Sequence, residues 1–120
     1  MKPYITIYTK ENGKQEFTED EWNKNRDKFS GLTYHRVDGP AVEYSDGYKS
    51  WFKEGRLHRI GDPAVEFHSN WWVRRDWYIE DEEYIKEDYD KLMREVKAMP
   101  LVLRLVDPRK WVREFNLKTI

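Results

Sequence analysis

Two histidines and two glutamates are the side chains best suited to acid–base or metal chemistry, because they recur in step along the chain. His35 and His58 are 23 positions apart and each precedes an arginine, and Glu43 and Glu66 have the same separation. Paired carboxylates can flank a glycosidic bond, and imidazoles can bind zinc. A structural zinc site needs four ligands, however, and no cysteine or His-x-His spacing supplies the rest. The glutamates are expected at equivalent solvent-facing strand positions, so neither a metal site nor a catalytic pair is predicted.

Nucleophilic catalysis is not predicted either. The four serines lie in turn or strand contexts, and the chain has neither a Gly-x-Ser-x-Gly elbow nor a glycine-rich phosphate loop. The absence of cysteine excludes thiolate chemistry. We therefore expect a protein that is not an enzyme and needs no cofactor. A hydrolase built on the repeated acids and histidines is the weakest of three functional hypotheses.

The strongest binding signal is a stretch rich in tryptophan and arginine at positions 70–77. Trp71 and Trp72 would point to opposite faces of an extended strand, so a sheet covered on one face could bury only one of them. Tryptophan and arginine are the residues most enriched at binding hot spots. We predict that Trp71, Trp72, Arg74 and Arg75 bind a partner. The alternative is that Trp72 packs beneath a long C-terminal helix and the arginines pair with its acidic residues.

Composition narrows the kind of partner. The chain has 22 Lys and Arg against 23 Asp and Glu, so it lacks both the basic field expected for nucleic acid and the acidic surface of a DNA mimic. Aromatic residues make up 16% and must supply much of the core. No apolar signal region or membrane-spanning run is present. A cytoplasmic location without membrane contact is the simplest expectation.

The central part of the chain contains a tandem sequence repeat. The sequence His-Arg-Val-Asp-Gly-Pro-Ala-Val-Glu-Tyr at 35–44 returns as His-Arg-Ile-Gly-Asp-Pro-Ala-Val-Glu-Phe at 58–67. Residues repeated in this way usually serve the geometry of the repeat, and each His and Arg is predicted to fix a turn or neighbouring strand by side-chain-to-backbone hydrogen bonds. The positions assigned this structural role are His35, Arg36, Asp38, Gly39, Pro40, His58, Arg59, Asp62 and Pro63.

The pattern His-Arg-x-Asp-Gly-Pro-Ala, followed by an aromatic strand, Asp-Gly and Trp-x-x-x-Gly, resembles a variant of the MORN-type β-hairpin repeat of small bacterial and bacteriophage proteins. Some of those proteins are grouped with antitoxin-like repeat proteins. The first unit carries the pattern through Gly55, whereas the second matches only at His58, Arg59, Pro63, Ala64 and Trp77. The resemblance implies a meandering antiparallel sheet with one hairpin per repeat. It implies little about function, because such repeats mostly form scaffolds for contacts with proteins or membranes.

A hairpin and a short helix are predicted before the repeats, within positions 1–31. Residues 4–9 read as a strand, and Asn12-Gly13 is typical of a two-residue type I′ turn that would place Phe17 opposite Tyr8.

The short helix begins with a capping box formed by Thr18 and Glu21. We expect it to run from Glu19 to about Phe29, with Gly31 as its C-terminal cap.

Within the repeats, Asp46-Gly47 predicts another two-residue turn. That register would put Val42 opposite Trp51 and gather Val42, Tyr44 and Trp51 into one apolar layer. In the second unit, Trp77-Tyr78 takes the place of Trp51-Phe52 after three extra residues.

A long helix is predicted from Asp81 to Met99, with Glu80 or Asp81 as its N-cap. Its apolar stripe consists of Ile85, Tyr89, Leu92, Val96 and Met99. Residues 101–106 could form a strand or a short buried helix, and residues 108–115 a last short helix. The basic residues near the C-terminus are expected to be solvated; they are Arg104, Arg109, Lys110 and Arg113.

The sequence therefore predicts a single α+β domain over residues 1–120. An antiparallel β-meander of about six strands is built from tandem hairpin repeats at 32–79. It is capped by the N-terminal hairpin and short helix within 1–31 and by a C-terminal helical cap at 80–120, which contains the longer helix. The helices are expected to cover one face and both ends. The first functional hypothesis is a protein-binding module, such as a phage or bacterial accessory protein or anti-defence inhibitor. The alternative is nucleotide or nucleic-acid binding through the Trp/Arg stretch, and exposed strand edges leave a homodimer open.

Overall fold

A computed structural model describes residues 3–98 as an α+β fold, in which a mostly antiparallel sheet carries one short and one longer helix. The helices are α1 (Glu19–Asn25), which continues into a 3-10 turn at Arg26–Phe29, and α2 (Lys86–Ala98). The strands are β1 (Ile5–Thr9), β2 (Gly13–Phe17), β3 (Val42–Tyr44), β4 (Lys49–Ser50), β5 (Phe52–Lys53), β6 (Arg56–Leu57), β7 (Val65–His68), β8 (Val73–Ile79) and β9 (Glu82–Tyr84).

Seven of these strands form one sheet in the order β2-β1-β3-β4-β7-β8-β9, and β5 and β6 pair separately. None of the helices between residues 3 and 98 is long and apolar enough to span a membrane. The predictions for residues 101–106 and 108–115, and for the C-terminal basic residues, lie outside the described part of the chain.

The first hairpin forms where predicted but with a different register. Thr9 pairs with Gly13, so three residues form the turn, and the Asn12 N–H donates to Thr9 Oγ1 at 3.0 Å. Phe17 therefore lies opposite Ile5, and its predicted position opposite Tyr8 is wrong. The prediction failed because it assumed the two-residue turn that Asn-Gly most often forms.

The same change of register occurs between β3 and β4. Gly47 adopts a φ of 104°, which a side chain would disfavour, and its N–H donates to the Tyr44 carbonyl at 3.1 Å. The turn again has three residues, and Val42 pairs with Ser50. The predicted apolar layer is wrong in one member, because Trp51 now points to the face opposite Val42 and Tyr44.

The start of α1 is confirmed, and its end is not. Thr18 and Glu21 form the reciprocal capping box, with distances of 2.9 and 3.2 Å between backbone nitrogen and side-chain oxygen. The α-helix stops at Asn25, and the following 3-10 turn is closed by the Ser30 hydroxyl, which donates to the Asp27 carbonyl at 2.9 Å. Gly31 does not adopt the left-handed conformation of a helix-ending glycine.

The long helix begins later than predicted. Glu80 and Asp81 have φ values of 47° and 70° and turn the chain from β8 into β9, so neither is a helix N-cap. This turn depends on distant partners: the Leu57 N–H donates to Asp81 Oδ1 at 2.7 Å, and the Glu80 N–H donates to the imidazole of His58. Of the predicted stripe, Tyr89, Leu92 and Val96 are buried, and Ile85 is exposed ahead of the helix.

The two helices cover opposite ends of the sheet on opposite faces, which corrects the expectation that both lie on one face. Around α1, Trp22 packs with Ile5, Ile7 and Val42. Around α2, the buried cluster consists of Ile79, Tyr84, Tyr89, Leu92 and Val96. Side chains alternate along a strand, and the pairing carries the face of Val42 to Asp76 of β8, so Trp77 and Ile79 lie on the other face. Among the described residues, each helix leaves part of its face uncovered.

Tyr89 connects α2 to the loop before β7. Its hydroxyl donates to the Arg59 carbonyl at 2.6 Å and accepts from the Gly61 N–H at 2.9 Å, and the residue is buried. We expect Tyr89→Phe to lower the free energy of unfolding by about 1–3 kcal/mol, because it leaves these backbone groups without a partner. Urea unfolding monitored by tryptophan fluorescence measures this change.

The matched control is Tyr84→Phe. The Tyr84 hydroxyl bonds the Glu82 carboxylate at 3.3 Å, and that carboxylate can turn to water instead. We expect this variant to lose less stability than Tyr89→Phe. Equal losses in the two variants would show that the link between α2 and the loop is unimportant.

Candidate binding grooves

The Trp/Arg stretch begins in the turn between β7 and β8, and one hydroxyl organises that turn. Ser69 Oγ accepts from the Trp71 and Trp72 N–H groups at 3.1 and 3.0 Å and donates to the Trp72 carbonyl at 3.1 Å. The backbone is thereby fixed while the side chains stay in solvent. Trp71, Trp72 and Val73 are 90%, 55% and 52% exposed. We call residues 69–73 the Trp turn.

The structure separates the four residues predicted to bind a partner. Trp72 and Arg74 lie together on one face, Trp71 is at the tip of the turn, and Arg75 points to the opposite face beside Glu66. The packing alternative is wrong for Trp72, which lies against the Phe67 ring at 5.0 Å and not beneath α2. Arg74 pairs with Asp76 of its own strand at 2.7 Å and not with an acid of the helix.

Trp72 and Arg74 form one end of a groove of about 550 Å³ on the sheet face that α1 covers at its other end. We call it the aromatic groove, and its aromatic side chains include Tyr4, Tyr44, Tyr48, Phe67 and Trp72. The Tyr44 ring meets Tyr4 and Tyr48 edge to face at 5.6 and 5.7 Å. Sequence reasoning did not single out the tyrosines of this groove. Tyr44 and Tyr48 lie on either side of Asp46-Gly47, and the correct register would have placed them on the face of Trp72.

The electrostatics of the aromatic groove are close to balanced. Its charged lining residues are Asp46 and Arg74. The hydrogen bond to Asp76 raises the pKa of the Arg74 guanidinium, so this cation already has a fixed counter-ion. Burial raises the pKa of the Tyr44 hydroxyl, which stays neutral and can donate or accept a hydrogen bond.

The two loops with the repeated His-Arg sequence are built alike. The Arg36 guanidinium stacks on the Tyr8 ring at 4.0 Å and donates to the Pro40 carbonyl at 3.2 Å. Arg59 stacks on the Trp51 ring at 3.8 Å and donates to Pro63 at 3.1 Å. These are the side-chain-to-backbone hydrogen bonds that the sequence predicts for the arginines.

The acidic residue and the glycine of each loop do not contact the arginine in the same way. Asp38 accepts from Arg36 Nε at 2.9 Å, whereas Asp62 lies 3.6 Å from Arg59 Nη2. Gly39 leaves room for the first arginine, because a Cβ there would lie 2.8 Å from Arg36 Cζ.

The two histidines also have equivalent bonds. His35 Nδ1 accepts from the Glu54 N–H at 2.9 Å, and His58 Nδ1 accepts from the Glu80 N–H at 3.2 Å. Both glutamates have left-handed φ values, so each imidazole secures a turn of unusual backbone conformation. A nitrogen that accepts carries no proton, which places the proton of each neutral ring on Nε2.

A second groove, of about 790 Å³, lies between these loops. We call it the basic groove, and its basic lining residues are His35, Arg36, Lys53, His58 and Arg59. Asp38 is the one acid among the described residues that line it, and it is bound to Arg36. Phe52 lines both grooves.

The two repeated glutamates are not adjacent in the sheet. Glu43 and Glu66 lie on either side of Lys49 in the sheet; Glu43 approaches Lys49 at 3.7 Å, and Glu66 approaches Arg59 at 3.4 Å. Between residues 3 and 98, no group of three or more His, Asp or Glu side chains is close enough to hold a metal ion.

Comparison of the chain with protein-family models, curated proteins and solved structures finds no match. The resemblance to MORN-type repeats therefore stays a prediction that rests on the residues quoted above.

Burial of the His58 ring makes stability depend on pH. Burial, with Lys53 nearby, lowers the pKa of His58 from 6.5 to about 4 in the folded protein. The unfolded chain therefore binds this proton more readily, and stability present at neutral pH is lost as the pH falls from about 6.5 to about 4. The full shift corresponds to about 3 kcal/mol; because part of the ring reaches solvent, we expect about 1–2 kcal/mol.

The variant His58→Asn tests this directly, because Asn Oδ1 can accept from the Glu80 N–H and does not titrate. Urea unfolding of wild type and variant at about pH 7.5 and about pH 4.5 should show a smaller loss of stability in the variant. His68→Asn, at the exposed end of β7, is the control and should keep the wild-type dependence. Parallel pH profiles for wild type and His58→Asn would contradict the role assigned to His58.

Proposed function

We propose that the chain is a non-enzymatic protein-binding module that receives a segment of a partner protein across the Trp turn and the aromatic groove. The observation that carries this proposal is the run of three exposed apolar residues, Trp71, Trp72 and Val73, fixed beside a groove of aromatic rings. Exposed apolar surface of this kind is characteristic of interaction sites.

The composition and rigidity of the surface support a protein partner. Tyrosine, tryptophan and arginine offer large contact areas and are the residues most enriched at binding hot spots. The three hydrogen bonds of Ser69 hold the turn before any partner arrives, which lowers the entropy lost on binding.

A strand edge beside the Trp turn supports the same reading. Residues 73–76 of β8 pair with β7 on one side, and β9 pairs only with residues 77–79. Among the described residues, no strand covers the other side of 73–76, so an extended segment can add there by backbone hydrogen bonds. The far edge of the sheet is less open to pairing, because β2 presents the charged pair Lys14 and Glu16.

The charge of the aromatic groove favours protein over nucleotide or nucleic acid. Stacking of bases is accompanied by cations that meet phosphates. Here Arg74 is paired with Asp76, Asp46 also lines the groove, and Arg75 lies on the other face. The stacking rings therefore have no free cation beside them among the described residues.

We also propose that two tandem hairpin units form the scaffold, as in MORN-type repeats. The supporting observation is that equivalent bonds recur, from Ala41 to Ser50 at 2.9 Å and from Ala64 to Asp76 at 2.8 Å between backbone N–H and carbonyl. Such a module would act by occupying a partner's surface in the cytoplasm, as an accessory protein or an anti-defence inhibitor of a phage or bacterium does.

The test uses a photo-crosslinking residue in place of Trp72 to identify the partner in cells, with the same residue in place of Arg75 as the control on the opposite face. Binding of the purified partner is then measured by calorimetry. We expect Trp72→Ala and Arg74→Ala each to weaken binding by about tenfold or more, whereas Arg75→Ala changes it by less than about twofold.

Two results would contradict the proposal. One is a partner whose affinity depends on Arg75 and not on Trp72. The other is crosslinking to nucleic acid, with an affinity that falls steeply between about 50 and about 500 mM salt. Crosslinking to a second copy of the chain would show that the partner is the protein itself, in a homodimer that pairs through the β8 edge.

A further inference from the structure

The basic groove contains hydrogen-bond donors that the protein itself does not use. The Nδ1 atoms of His35 and His58 accept hydrogen bonds from the turn N–H groups of Glu54 and Glu80. Neither Nε2–H has an acceptor among the described residues. Gln15 Oε1 is the one buried side-chain polar atom in that part of the chain without a partner, so both Nε2 atoms reach solvent. Both histidines line one groove, so two donors that the protein itself does not use lie beside it.

Lys53 adds a cation between the two histidines in sequence and on the same groove. It is exposed and forms no ion pair with any residue from 3 to 98. Its charge is felt at His58, where it disfavours protonation of the ring. The carboxylate of Glu54, whose pKa Lys53 also helps to lower, is itself bound to Lys10 at 2.6 Å. An ammonium that forms no ion pair, next to unused N–H donors, is an arrangement that attracts an oxyanion.

The arginines add hydrogen-bond donors to the groove but little net charge, because Arg36 is paired with Asp38 and Arg59 with Glu66 and Asp62. Arg36 uses Nε and Nη1 for Asp38 and Pro40, and Arg59 uses Nη1 for Pro63 and Glu66. Each guanidinium has five N–H donors, so each keeps donors that these bonds do not occupy. The acid on the groove, Asp38, is already neutralised by Arg36.

The spacing of the two loops sets the size of the ligand. His35 bonds backbone to backbone with Tyr8 of β1, and His58 with Trp51, which follows β4. Strands β1 and β4 are separated by β3, so the equivalent points are two strand spacings, or about 10 Å, apart. A linear chain of several phosphates matches this spacing better than a single phosphate does.

We propose that the basic groove binds a linear polyphosphate group through the Nε2–H donors of His35 and His58 and the ammonium of Lys53. The same chemistry is carried by inorganic polyphosphate and by a nucleoside triphosphate. The groove also offers the apolar side chains of Val37 and Ile60, which are 91% and 44% exposed at matching places in the two loops and can contact a nucleoside. This site is separate from the Trp turn and does not depend on the protein-binding function.

Calorimetry with the full chain at low salt tests the site, with orthophosphate, tripolyphosphate and ATP as the ligands. We expect tripolyphosphate to bind at least about tenfold more tightly than orthophosphate, because only the longer ion spans both loops. ATP binding more tightly than tripolyphosphate would identify a nucleotide as the source of the group, and equal binding would identify a plain polyphosphate. Equal affinities for orthophosphate and tripolyphosphate would mean an adventitious ion only and would overturn the proposal, as would no binding.

Two variants locate the site. Lys53→Gln should weaken tripolyphosphate binding by about tenfold or more, whereas Lys28→Gln, which removes the same charge from the exposed 3-10 turn, should change it by less than about twofold. His58→Asn keeps an acceptor for the Glu80 N–H and removes the Nε2–H donor, so it should weaken binding by about fivefold while the protein stays folded. Unchanged affinity in both Lys53→Gln and His58→Asn would overturn the proposal.

Two further measurements separate this site from other possibilities. Trp72→Ala should leave tripolyphosphate affinity unchanged, so failure of the aromatic groove as a protein site would not affect the result. A single-stranded oligonucleotide that binds more than about a hundredfold more tightly than tripolyphosphate, with the same dependence on Lys53, would show that the groove follows a nucleic-acid backbone and would overturn the small-ligand proposal.

Discussion

The fold depends on two loops that keep an irregular shape because an arginine closes each of them. The guanidinium of each arginine stacks on an aromatic ring, Tyr8 or Trp51, and donates a hydrogen bond to a proline carbonyl of its own loop. With the loop closed, the alanine that follows is buried and its N–H is directed at a carbonyl of the next strand. The pairing of β3 with β4 and of β7 with β8 begins from that bond. An arginine in this position therefore acts on the sheet through the backbone, and its charge is secondary.

The same arrangement explains why α2 lies on the face opposite α1. Trp77 follows Asp76 as Trp51 follows Ser50, so its half-buried ring occupies the position on which a further arginine would stack. The residues described after Trp77 contain no third loop of this kind, and the Tyr89 ring of α2 lies 6.4 Å from the Trp77 ring, centroid to centroid, instead. Its hydroxyl also satisfies backbone groups of the loop that Arg59 closes. Helix α2 thus covers the end of the sheet with a neutral aromatic residue, Tyr89, at the place where the loops before it use an arginine.

Sequence reasoning succeeded where the signal is local and failed where it depends on register or distant partners. The capping box of Thr18 and Glu21, and the arginine-to-carbonyl bonds, involve residues within five positions of each other. The turn at Glu80 and Asp81 looks like a helix start in sequence, and only bonds from His58 and Leu57, more than twenty positions away, make it a strand connection. A register shift of one residue then moved Trp51 to the other face.

The prediction of the candidate binding residues was likewise limited by the unknown strand register. Tryptophan and arginine content was enough to single out positions 71–75, but content does not say which side chains share a face. Arg74 and Arg75 are adjacent in sequence and lie on opposite faces, so they cannot belong to one small site on the sheet. Tyr44 and Tyr48, which line the groove with Trp72, come from the first repeat, and their place in the groove follows only from the pairing of β3, β4 and β7.

The two grooves arise from opposite properties of the sequence. The basic groove follows from regularity, because repetition of the His-Arg loop places equivalent donors at a fixed spacing. The aromatic groove arises where the second repeat differs from the first. Its turn is wider than the Ser-Asp-Gly turn of the first repeat, and Trp72 of this wider turn lies against Phe67. Phe67 is the counterpart of Tyr44, so the extra residues add an exposed ring to a position that already exists in both segments. The ring that Trp72 adds to the aromatic groove is therefore specific to the second repeat of the sequence, whereas the basic groove needs both His-Arg loops.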